Sequence, residues 1–168
     1  MSGGADHSGE SDRAERDVSP FGPLVRDMRQ AIRSELGAFS LYSVLPRVTR
    51  DVELRKLIEA LRTGASQNIS EVSALMEELG GRAERSRWTR ALVAWLLALA
   101  APVTGIRLPL RLCHEAESTV SRWYAEYAAA LARIGEFERA QRFTDLSMRK
   151  RIHAVRLKTF VDNLTMRR

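Results

Sequence analysis

Apolar side chains recur at alternating steps of three and four through most of this chain, and the last such run has a lysine and a histidine inside it. Phe143, Leu146, Lys150, His153, Leu157, Phe160 and Leu164 fall on one helical face, and five of the seven are apolar. Three stripes precede it. Met28, Ile32, Glu35, Phe39 and Tyr42 predict a first helix from a serine cap at Ser19 to near Pro46. Leu54, Ile58, Leu61, Ala65, Asn68, Val72, Leu75 and Leu79 predict a second, capped by Asp51 and stopped by Gly80 and Gly81. Leu110, Cys113, Glu117, Val120, Tyr124, Tyr127 and Leu131 predict a third, from about Leu108 to Ile134. With no strand pattern and a short link between the first two helices, the expectation is all-α: a four-helix bundle whose crossover, about residues 82–107, joins helices two and three.

Polar residues inside the stripes repeat. Glu35 is followed seven residues later by Tyr42, and Glu117 seven residues later by Tyr124, an offset of 82 residues. Ala65 and Asn68 stand three apart, as do Lys150 and His153, at an offset of 85. Four coincident core positions read as two related helical hairpins.

Composition adds limits. The chain has 168 residues with 45% hydrophobic and 29% charged content, which fits one soluble domain with a core. Its single cysteine, Cys113, excludes an intrachain disulfide or a multi-cysteine metal site and points to a reducing compartment. Residues 1–18 are polar and acidic and read as a disordered tail, with no apolar stretch to act as a signal peptide, so the cytoplasm is the default location. The first 20 residues carry −3 and the remainder +9, and 24 of the 27 basic residues are arginine. That surface meets the charge requirement for an anionic lipid or an acidic protein, whereas no aromatic-flanked basic motif marks a specific nucleic-acid site. Arginine-rich solvated helix faces explain the same numbers without a partner.

The layout resembles the ferritin-like di-iron carboxylate proteins, which share the crossover connectivity and hold two metals on a Glu from each of two helices and a Glu-x-x-His from each of the others. Within them it most resembles the demethoxyubiquinone hydroxylase family, through "ELGAFSLY" at 35–42, "EELGGRAER" leaving helix two, "ALVAWLLALAAPVTGIRLPL" and "CHEAESTVSRWY". The likeness spans about residues 21–164. It places Glu35 and Glu117 at the single-helix carboxylate positions and His153 at the last histidine. Asn68 stands at the other histidine, and Ala65 and Lys150 at the two bridging glutamates, so three of six ligands are retained. Tyr42 and Tyr124 would surround the site.

Charge decides what those replacements mean. An ammonium beside two metal cations is unfavourable at low dielectric, so the metals are the group expected to leave. Glu35 and Glu117 would then be neutralised by Lys150 and hydrogen-bonded by His153, with no metal or other cofactor. Other readings make Lys150 a snorkelling residue or put the two glutamates at a solvated margin. Two further alternatives keep a metal, one through a compensating ligand set that draws on Asp145, Gln67 or Glu71, the other as a mononuclear iron site on Glu35, Glu117 and His153, and make the chain an oxidoreductase hydroxylating a quinone-like or other apolar substrate.

From Ala91 to Ile106 no charge appears, and Arg85, Arg87 and Arg90 flank Trp88 just before, with Trp95 inside the run. Sixteen uncharged residues are too few to span a bilayer comfortably but suit an interfacial helix. Packing over the bundle or a dimer contact explains the same run. The resemblance implies membrane attachment and access for a quinone. Three function classes follow: a non-catalytic bundle binding a quinone, lipid or partner protein, at the inner face of the membrane and as a homodimer or with another chain; a metal-dependent oxidoreductase; and a basic adaptor for an acidic partner.

Overall fold

A computed structural model describes residues 21–82 and 106–166. Within them lie four helices and no strand: α1 (Gly22–Val48), α2 (Val52–Glu78), α3 (Arg107–Arg133) and α4 (Phe137–Met166).

Helix ends follow local chemistry. Asp51 caps α2 by accepting a hydrogen bond from the Leu54 N–H at 3.0 Å. At the other end Gly80 adopts φ +81°, its N–H reaching Glu77 O at 3.0 Å while Gly81 N–H reaches Met76 O at 2.8 Å. The same closure recurs after α3, where Gly135 has φ +84° and Glu136 N–H reaches Leu131 O at 3.0 Å. Ser19, the expected cap of α1, lies outside the described residues. The helix begins at Gly22, with a proline in its first turn and with Phe21 in the cap position without a side-chain capping hydrogen bond. Its other end runs past Pro46 to Val48, because a proline so close to the end forfeits one backbone bond without stopping the last turn.

α1 packs along α2 and α3 along α4, and the two hairpins meet through α1 against α3 and α2 against α4. The core divides into two apolar clusters. One holds Met28 and Ile32 of α1, Val72 and Leu75 of α2, Val120 and Tyr124 of α3, and Phe143 and Leu146 of α4. The other holds Tyr42 and Leu45, Ile58 and Ala65, Leu110 and Cys113, and Leu157 and Val161 of the same helices in order. Every helix passes from one cluster to the other at a buried polar residue: Glu35, Asn68, Glu117 or Lys150. α1 and α4 therefore run one way and α2 and α3 the other. The end of α2 and the start of α3 consequently lie at opposite ends of the bundle.

Polar contacts fasten the second hairpin. Ser121 Oγ donates to Ser147 O at 2.9 Å and Ser147 Oγ donates to Ser121 O at 2.8 Å. His114 Nδ1, as donor, lies 3.0 Å from Ala154 O. His114 is thus a link between α3 and α4. Glu78 at the end of α2 is gripped by Arg142 at 2.7 Å and Arg139 at 3.2 Å, which holds its carboxyl below the usual range and ties the two hairpins at that end.

Candidate functional site

Between the apolar clusters the four stripes bring their polar members together. Lys150 Nζ lies 2.6 Å from Glu35 Oε2 and 3.0 Å from Glu117 Oε2, and all three side chains are 1% exposed or less. These contacts are ion pairs within the buried layer. His153 Nδ1 approaches Glu117 Oε2 at 3.4 Å. The two tyrosines close the cluster from opposite hairpins: Tyr42 OH donates to Glu117 Oε1 at 2.8 Å and Tyr124 OH to Glu35 Oε1 at 2.9 Å. The exchange is reciprocal. Each hairpin's glutamate takes the other hairpin's tyrosine, which antiparallel α1 and α3 make possible.

Electrostatics separate the two carboxylates. Burial raises the Glu35 carboxyl above its usual range; Lys150 opposes that shift and the neighbouring Glu117 adds to it. Burial also works against charge on Glu117, but His153, Lys150 and the Tyr42 hydroxyl outweigh it and hold Glu117 below the usual range. Lys150 loses hydration to burial and regains more from the two carboxylates, so its ammonium is held above the ordinary lysine value. Around them burial pushes the hydroxyls of Tyr42 and Tyr124 well up, and burial with the Glu117 charge pushes the Cys113 thiol up to about 12.

Asn68 shares the buried layer at 1% exposure, and neither its amide nitrogen nor its amide oxygen has a hydrogen-bond partner among the described residues. The His153 side chain, 14% exposed, is the member of the cluster that reaches furthest toward solvent. It lies against α2 at Gly64, where a Cβ would stand 2.5 Å from His153 Cε1 and 3.0 Å from Nε2. Nothing in the stripe spacing identified Gly64, because a glycine in a helix declares no contact. Gly64→Ala is expected to displace the His153 ring from Glu117 and to cost about 1–3 kcal/mol, the range for overpacking a tight contact. Urea denaturation measures the loss, and Gly64→Ala combined with His153→Ala is expected to recover most of it.

Other candidates fall elsewhere. Asp145 is exposed and accepts from Gln141 Nε2 at 2.9 Å, and Gln67 is exposed on α2. Glu71 pairs with Arg149. The helical turn carries all three away from the face that holds Glu35 and Glu117, so none supplements them. Trp88, Trp95, Arg85, Arg87 and Arg90 lie outside the described residues, as do the acidic tail and His7. Among the described residues no helix is long and apolar enough to cross a membrane.

The donor set does not fit a pair of metal ions. Two carboxylates face an ammonium, Ala65 supplies no ligand, and among the described residues no three His, Cys, Asp or Glu side chains are grouped to hold a metal. No family model matches the chain, and no curated protein or solved structure matches it either.

Proposed function

We propose that this chain is a non-catalytic bundle of the ferritin-like kind, similar to the demethoxyubiquinone hydroxylases, in which Lys150 has replaced the metals and the protein acts by binding. One observation carries the reading: a lysine ammonium, 2.6 and 3.0 Å from two buried glutamates, occupies the place between them where a metal cation would balance their charge. The antiparallel run of α1 and α3, and the opposite positions of the α2 end and the α3 start, support the crossover connectivity. The apolar run after Trp88 suits a lipid surface or a partner protein, and the resemblance to the hydroxylases adds a quinone-like ligand at the cytoplasmic face of a membrane.

Metal content tests the proposal. Protein purified from iron- and manganese-supplemented cells is expected to hold far less than one metal per chain by elemental analysis. Stoichiometric iron, with loss on Glu35→Ala or His153→Ala, overturns the proposal in favour of an oxidoreductase on Glu35, Glu117 and His153. Ala65→Glu, Asn68→His and Lys150→Glu together are expected to create iron binding, because they supply the missing carboxylates and histidine and remove the ammonium.

A further inference from the structure

α4 is patterned on its outer face as well. Phe137, Gln141, Thr144, Met148, Ile152 and Val155 step by three and four along the side opposite the buried stripe. The four apolar members are 70%, 60%, 47% and 57% exposed in chain order. Met148, Ile152 and Val155 line a shallow groove of about 370 Å³ between Arg151 and Arg156. Beside Phe137 and Thr144, Ala125, Ala129 and Ala132 of α3 line a second groove, so a neighbouring backbone can approach closely there. A run of large apolar side chains this exposed on one helix face marks a contact surface.

Charge selects the occupant. Along the edge of the stripe nearer α2 run Glu138, Arg142, Asp145, Arg149 and Arg156; Glu78 takes Arg142 and Glu71 takes Arg149 within the chain, which leaves Glu138 and Asp145 ahead of Arg156. Against a second α4 running antiparallel, Glu138 stands level with Arg156 and Asp145 with Arg149, and both pairs centre on Ser147. Met148 meets its own copy beside the two-fold axis. A parallel two-fold pair brings this edge against the other edge of the stripe, where Arg149 and Arg156 meet Arg151 and Lys158 of the second copy. We infer that the outer face of α4 is the contact of an antiparallel homodimer, with the apolar stripe supplying affinity and the charge order supplying direction. The inference is independent of what fills the bundle centre.

Sedimentation velocity on the full chain is expected to show a monomer–dimer equilibrium, and Val155→Asp to shift it to monomer with unchanged helical circular dichroism. Arg156→Glu places like charge opposite Glu138 of the second copy and is expected to weaken the dimer about tenfold at low salt. Glu138→Arg combined with Arg156→Glu restores it, which only self-pairing in this direction explains. A chain that stays monomeric to about 100 μM overturns the inference. A dimer indifferent to both Val155→Asp and the charge reversal also overturns it, as does a monomer that uses this face to co-sediment with phosphatidylglycerol vesicles.

Discussion

Lys150→Met is expected to destabilise the protein by about 3–5 kcal/mol near neutral pH, the largest single-residue effect in the chain, because it leaves two buried carboxylates without their cation. The sign of its pH dependence is the sharper test. In the native protein Glu117 is held below its ordinary value, so its contribution is present above the usual carboxylate range and is lost as pH falls through the folded value. Without Lys150, burial and mutual repulsion raise both carboxyls above their unfolded values. Stability is then greatest where they are protonated and declines as pH rises through those raised values. The gap between Lys150→Met and wild type therefore narrows toward about pH 4–5 and widens toward about pH 8. Urea midpoints at the two pH values measure it, and a gap within error of zero at both shows that the lysine is solvated.

Replacing the whole cluster is expected to have the opposite outcome. Glu35→Leu, Glu117→Leu and Lys150→Met, with Tyr42→Phe and Tyr124→Phe so that no hydroxyl is orphaned, should match wild type or exceed it by about 1–4 kcal/mol. Three groups that lost their hydration on burial are exchanged for apolar side chains between two apolar clusters that already flank them. The guanidinium midpoint rises or holds while the slope stays constant. A fall of several kcal/mol shows instead that the ion pairs contribute net stability.

The buried layer was legible in the sequence to the extent that helical period assigns a side chain to a face. Glu35, Asn68, Glu117 and Lys150 each interrupt an apolar stripe, and a stripe that must be buried takes its polar members inside with it. Which tyrosine serves which glutamate was not legible. That depends on α1 and α3 running antiparallel, a relation between hairpins that no local spacing encodes. Gly64 and His114 act through backbone proximity and a carbonyl, features that leave no mark on a hydrophobic pattern. Asp145 lies two turns before His153 in sequence, yet eight residues rotate a helix by more than two full turns and bring it to the exposed side.

The two hairpins are alike in outline but unequal in charge. Two copies of the first, meeting as the halves do here, would bury a pair of Glu35 carboxylates among alanines and asparagines with no cation. The second hairpin carries one carboxylate and one ammonium at the same depth, so it alone can neutralise the first. Lys150 thereby makes the second hairpin, and not another copy of the first, the half that balances the Glu35 charge.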